Sequence, residues 1–234
     1  MIRSILPRLC TAAVASLALA AAAHAEGAQR VLPPPAADVA ASSSGPQTAT
    51  FAGGCFWGIQ GVFEHVKGVT KAVSGYAGGT VANPDYEQVS DGNTGHAETV
   101  RVTYDPSQIS YGTLLQIFFS VGLDPTQVDR QGPDWGTQYR SELFVADAEQ
   151  ERVARAYLAQ LTAAHLYDRP IATRIDQAGP FYPAEGYHQD YLEHHPDQPY
   201  IAINDIPKVE GLQRLFPEHW QSKPVLVGKA ASGS

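Results

Sequence analysis

Over 234 residues, 24 acidic side chains outweigh 16 basic ones, for a formal net charge of −8, and 44% of the chain is hydrophobic. That length and composition suit one globular domain of ordinary core size, with or without tails. The acidic balance argues against a nucleic-acid partner, and no stretch is long and apolar enough to span a bilayer.

The N-terminus has the layout of a secretory signal. Arg3 and Arg8 precede the short apolar run "LCTAAVASLALAAAA", and Ala23-His24-Ala25 offers small residues at a cleavage site. Residues 1–25 are therefore predicted to be removed after Ala25, which makes the chain periplasmic or secreted, with no membrane anchor after cleavage. Residues 26–47, rich in Pro, Ala and Ser and without periodicity, are predicted to form a flexible leader. The folded body is expected over 48–220, followed by a flexible tail, 221–234, that lacks cysteine.

Within the body, "TATFAG" reads as a strand ending in glycine. Phe56, Ile59, Phe63 and Val66 then make a helical stripe, which Gly68 stops. "VTKAVSGYAGG" is a strand running into a glycine loop, and residues 96–104 alternate with period two. Leu114, Leu115, Phe118 and Phe119 mark a helix, and "YRSELFVA" a strand. Asp147 and Gln150 resemble a capping box opening a helix. "PIATRI" is read as another strand, and 184–195 as a last helix. This order suggests a two-layer α/β sandwich with a mixed sheet; a fully parallel doubly wound sheet is the alternative.

Removal of residues 1–25 would take Cys10 with it and leave Cys55 as the lone thiol. A lone cysteine in an exported chain is either reactive, intermolecularly paired or an inert buried residue. Its setting, "FAGGCFWG", places it where a strand turns into a helix. The free N–H groups and partial positive charge of a helix start favour a thiolate, and Gly53 and Gly54 leave the sulfur unshielded. A phosphate cradle fits less well, because the P-loop Lys-Ser/Thr and the dinucleotide glycine spacing are both missing. Phe56 lies on the core stripe, whereas Trp57 points away from it, as a pocket wall or against another element.

In "HAETVRVTY", alternation puts Glu98 on the same face as Val100, Val102 and Tyr104. Burial there raises a carboxyl's pKa and keeps it neutral, able to donate a proton. A place at the sheet rim, or a basic partner, is the plainer reading. Tyr86 follows a proline turn, Tyr139 starts a strand and Asp134 lies in the loop before it. A cysteine hydrolase with His96 as base, a non-enzymatic anion-binding protein, and a metal site at His188, His194 and His195 are the other options. The histidines lack zinc-ligand spacing, so no metal is expected.

Together "GGCFWG", "GYAGG", "NPDYEQV", "TGHAETVRVTYDP", "GTQYRS" and "YHQDYL" resemble, in order, signatures of the methionine sulfoxide reductase A family. The resemblance covers about residues 48–220. It implies a two-layer, ferredoxin-like plait and repair of oxidative damage by reducing the S epimer of methionine sulfoxide, free or in proteins, with no bound cofactor. It also implies roles: Cys55 as nucleophile, Glu98 as acid, Tyr86 and Tyr139 as hydroxyls holding the sulfoxide oxygen, Asp134 as a polar neighbour, and Phe56 and Trp57 as the apolar wall for the methyl group. Many members carry recycling cysteines; here the tail has none, and Ser90 stands where one sometimes occurs. The sulfenic acid left on Cys55 is therefore expected to be recycled by an external thiol, a thioredoxin-like protein or a small thiol, acting on a monomer.

Overall fold

A computed structural model describes residues 29–40 and 45–227. The predicted signal segment, and the parts of the leader and tail at 26–28, 41–44 and 228–234, lie outside the described residues.

The chain runs β1 (Gln47–Gly53), α1 (Phe56–Glu64), β2 (Val69–Ala77), a short α2 (Tyr86–Ser90), β3 (Ala97–Tyr104) and α3 (Tyr111–Ile117). A two-strand hairpin follows, β4 (Arg130–Gln131) and β5 (Asp134–Trp135), then β6 (Ser141–Val145), α4 (Ala148–Ala163), β7 (Arg174–Gln177), β8 (Phe181–Pro183), α5 (Tyr191–His194) and α6 (Ile206–Leu215). The main sheet is six-stranded, in the order β7-β6-β1-β3-β2-β8. Its inner strands β6-β1-β3-β2 pair antiparallel throughout, and only β6 with β7 is parallel. With β1, α1, β2, β3, α3 and β6 taken as a βαββαβ unit, the inner order is fourth-first-third-second, the ferredoxin-like plait. The sheet is therefore mixed, and the fully parallel alternative is excluded.

The core follows from strand alternation. Phe51, Val100, Val102, Leu143 and Val145 share one large buried cluster with Ile59, Phe63, Leu114, Phe118 and Tyr157 from α1, α3 and its extension, and α4. Phe51 lies between Phe63 and Phe118, with ring centroids 4.9 and 5.0 Å away. The opposite face holds a small cluster of Ala52, Ala77, Ala97 and Phe144, partly covered by Phe181. Two segments differ from the sequence expectation. "PIATRI" is strand only from Arg174, because the ladder with β6 begins at Glu142 opposite that residue. The helix expected over 184–195 is broken at Asp190, whose φ is +54°, into a tight turn (Gly186–His188) and α5. α6 was not anticipated, although Val209, Leu212 and Phe216 are buried at helical spacing behind a proline in the first turn.

Residues 29–40, within the segment read as a flexible leader, lie as a strap along α3 and α4. Leu32 is 1% exposed. Its N–H donates to Ser120 Oγ at 3.1 Å and its carbonyl accepts from Gln116 at 2.6 Å. The Pro33 and Pro34 carbonyls accept from Tyr157 Oη and Gln160 Nε2, both at 2.9 Å. Asp38 caps the start of α3 through Gly112 N–H at 2.8 Å. Prolines lack amide donors and are already stiff, so a few side-chain donors and one leucine anchor hold the segment. The described part of the tail is also tied down: Gln221 N–H donates to His65 O, Val225 N–H to Glu64 O and Val227 N–H to Asp190 Oδ1.

Leu32→Ala should lower unfolding free energy by about 2 kcal/mol or more, as for a buried leucine in a core. Urea unfolding of the full chain reads this directly. An unchanged midpoint would return the strap to the status of a flexible leader.

Candidate active site

β1 ends at Gly53, and Gly54 turns the chain with φ +88°. A Cβ at Gly54 would lie 2.7 Å from Gln131 Cγ, and one at Gly53 would lie 2.8 Å from the Phe118 ring. Glycine is thus required twice, once for conformation and once for space. Cys55 follows as the N-cap of α1 and is 8% exposed. The next two amides are divided between the Glu98 carboxyl and the Cys55 sulfur. Phe56 N–H donates to Glu98 Oε2 at 3.0 Å, and Trp57 N–H is directed at the Cys55 sulfur.

Burial pushes the Glu98 carboxyl up to about 8, with Asp134 and Asp205 adding to the shift and the Phe56 amide opposing it. The face predicted from alternation is thus the buried one, and the carboxyl is mostly neutral at pH 7. The thiol moves against the sequence expectation. Burial, then the charges of Glu98 and Asp205, push Cys55 well above the usual thiol value; the Trp57 amide and the Lys208 ammonium only partly oppose them. A helix terminus is worth at most about 2 kcal/mol, whereas full burial moves a group by several pKa units, so desolvation wins.

The remaining predicted residues converge on this point. Tyr86 opens α2, and its N–H donates to Glu185 Oε1 at 2.9 Å; Tyr76 Oη donates to the other Glu185 oxygen, also at 2.9 Å. Tyr139 ends the turn before β6. Burial raises both tyrosine hydroxyls, and the charges of Glu98 and Cys55 raise them further. Asp134, in β5, accepts from Tyr200 Oη at 2.5 Å, and burial raises its carboxyl. Phe56 is buried against Tyr76 and His188, with ring centroids 5.9 and 5.2 Å away. Trp57 is half-buried. Its indole stacks on Tyr191 at 4.0 Å, meets Tyr200 edge-on at 5.9 Å and donates to His188 Nδ1 at 3.2 Å.

Sequence reasoning missed Glu185, Tyr200, Asp205 and Lys208 as neighbours of this site. Their contacts join residues far apart in the chain, so no local pattern marks them. His188 had been weighed only as a metal ligand; it instead fixes Trp57 and packs on Tyr86 at 4.3 Å. His96, the alternative base for a hydrolase, is fully engaged elsewhere: Nδ1 accepts from Gly79 N–H at 3.1 Å and Nε2 bonds Val81 O at 2.7 Å. Among the described residues, no group of three or more His, Cys, Asp or Glu side chains could hold a metal ion.

The family described as peptide methionine sulfoxide reductase matches residues 47–221. A relative from Mesorhizobium japonicum, peptide methionine sulfoxide reductase MsrA 2, is 56% identical over 82% of this chain and 98% of its own. The MsrA 2 of a Synechocystis species is 47% identical over 81% of this chain and 90% of its own. Among solved structures, methionine sulfoxide reductase A of Corynebacterium diphtheriae is 35% identical with a TM-score of 0.56, covering 71% of this chain and 85% of its own. Reduced Mxr1 of Saccharomyces cerevisiae is 32% identical with a TM-score of 0.59, covering 67% and 90%. By sequence and by fold, the chain belongs to the peptide methionine sulfoxide reductase A family and is an enzyme of that kind.

Proposed function

We propose that the chain reduces the S epimer of methionine sulfoxide, free or in oxidised proteins, through Cys55 and Glu98. The observation that carries this reading is their meeting at the start of α1, where one amide serves the carboxyl and the next the sulfur. The Cys55 thiol gives up its proton to solvent as substrate binds, and its sulfur attacks the sulfoxide sulfur. Glu98 gives its proton to the sulfoxide oxygen. The S–O bond of the substrate breaks as the oxygen passes to Cys55, leaving methionine and a cysteine sulfenic acid. The substrate sulfur gains two electrons and the cysteine sulfur loses them. Tyr86 and Tyr139 donate to the oxygen as negative charge grows on it, which favours the transition state over the bound substrate. Trp57 and Phe56 receive the methyl group, and Asp134 orients Tyr200 beside them.

The sequence has no cysteine after Cys55, so an external thiol closes the cycle. Two thiol equivalents restore Cys55 and release a disulfide and water. A thioredoxin-like protein or a small thiol fits this need, and no bound cofactor is required. The signal-like first 25 residues point to export with cleavage after Ala25, to a periplasmic or secreted enzyme. The hydrolase reading loses its base, because both ring nitrogens of His96 are committed to the backbone.

Two measurements test the reaction. Mixed with excess sulfoxide and no reductant, the mature protein should form about one methionine per enzyme and gain one oxygen on Cys55, as the oxidation ladder requires. A second turnover without added thiol would refute the single-thiol cycle.

The second is a pH profile. The active form of Glu98 is protonated, so the rate limb it governs is present below about 8 and lost as pH rises through that value. Glu98→Gln should abolish that limb and slow single-turnover reduction by about 10²- to 10⁴-fold. Wild-type speed in that variant would remove Glu98 from the chemistry.

A further inference from the structure

Asp205 and Lys208 enter no step of the reaction above, yet they sit against its central helix. The Asp205 side chain is 0% exposed; its Oδ1 lies 3.0 Å from Lys208 Nζ, and its Oδ2 has no hydrogen-bond partner among the described residues. A buried ion pair is seldom more stable than well-packed apolar side chains in its place. Stability alone therefore does not account for this one; its location does. A Cβ added to Gly58 would overlap Asp205 Oδ1 and lie 3.0 Å from Lys208 Nζ, so the pair is pressed onto bare α1 backbone. Gly58 follows Cys55 by three residues, which puts it on the same side of the helix, about 4.5 Å further along the axis.

The groups around the sulfur make a cation there useful. Glu98 approaches from β3 and Asp205 from the turn into α6, and both disfavour a negative sulfur. Tyr86, Tyr139 and Tyr200 approach from α2, from the turn before β6 and from the chain before α6, and all three are neutral near pH 7. Asp134 acts on Glu98, Asp205 and Lys208. Lys208 supplies the opposing charge, and Cys55 in turn favours its ammonium form.

We propose that Lys208, clamped by Asp205 against Gly58, is a positioning residue for the Cys55 sulfur: its ammonium offsets the negative charge that develops when the thiol gives up its proton to attack. Asp205 fixes where that ammonium sits and tempers its strength. The inference rests on Cys55 as the nucleophile.

The test is the pH dependence of iodoacetamide alkylation, followed by mass on the peptide containing Cys55 so that Cys10 does not contribute, in the full chain. Lys208→Met should move the profile about one unit alkaline, which is about tenfold slower alkylation on its rising limb. Single-turnover sulfoxide reduction should slow in the same ratio, and Lys208→Arg should restore both. Asp205→Asn, which removes the acid and keeps the cation, should move the profile the other way. A folded Lys208→Met protein that alkylates along the wild-type profile overturns the proposal. If that variant does not fold, Lys208→Gln, which keeps a polar headgroup beside Asp205 without the charge, decides: a wild-type alkylation profile overturns the proposal. Full sulfoxide reduction by Cys55→Ser would instead refute the nucleophile itself, whatever the alkylation profiles show.

Discussion

The Glu98 carboxyl and the Cys55 thiol are buried at one helix terminus, and that shared burial governs the site. In water each would ionise on its own terms. Here the charge of Glu98 raises the cost of ionising Cys55, and Asp205 raises the cost for both. Two anions at this spacing in a desolvated site are unfavourable together, so at most one forms readily. The amides of Phe56 and Trp57 set the geometry of this competition, since each stabilises one candidate anion. Everything nearby serves that geometry: the left-handed Gly54, the close fit of Gly53 on Phe118, and Gln131 filling the space beside the turn.

A buried polar network holds the other wall in register with the first. Gln60, one turn beyond Trp57, donates to Ala72 O in β2 and to Gln189 Oε1, both at 3.1 Å, and accepts from Ser74 Oγ at 2.9 Å. Gln189 returns bonds to Ser74 O and Ala184 O, each at 2.9 Å. The segment 184–190 is thereby fastened between α1 and β2. Its side chains Glu185 and His188 can then hold Tyr86 and Trp57. Each such bond contributes only about 1 kcal/mol net, but leaving a buried partner unpaired costs about 1–3 kcal/mol. The network therefore acts more strongly against alternative packings than for the native one. On the far side, the buried Arg140–Glu142 pair at 2.6 Å does similar work: Arg140 also donates to Thr137 O and Gly95 O, tying the Tyr139 turn to the loop before β3.

What was legible in the chain follows from how local its cause is. The strand-to-helix turn at Cys55 was readable because glycines and the Phe56-Ile59-Phe63 stripe lie next to one another. Glu98 was readable because alternation assigns a face regardless of what covers it. The thiol's ionisation was misread because the helix terminus is local, whereas the burial that outweighs it comes from distant elements. Tyr200 reaches Asp134 across 66 residues, and no spacing rule announces such a bond. The strap at 29–40 was hidden by composition: Pro, Ala and Ser describe both a loose leader and a stiff segment held by a few donors. α6 is local in its cause too: Val209, Leu212 and Phe216 carry an ordinary helical stripe.

α6 also shows how the end of the domain completes a site begun near its start. Cys55, Tyr86 and Glu98 come from the first half of the fold, and Tyr200, Asp205 and Lys208 from its last turns. The last group shapes the field around the first: Asp205 raises both Cys55 and Glu98, and Lys208 lowers Cys55. Burial is the largest cause of the raised Glu98 carboxyl, and Asp134 and Asp205 add to it, so its neutrality belongs to its surroundings rather than to residue 98 alone. Lys208 pulls the other way, lowering Asp134 and Asp205 as well as the thiol. One ammonium thus opposes the rise of both acids and of the thiol, and Glu98 and Cys55 are coupled through the same residues.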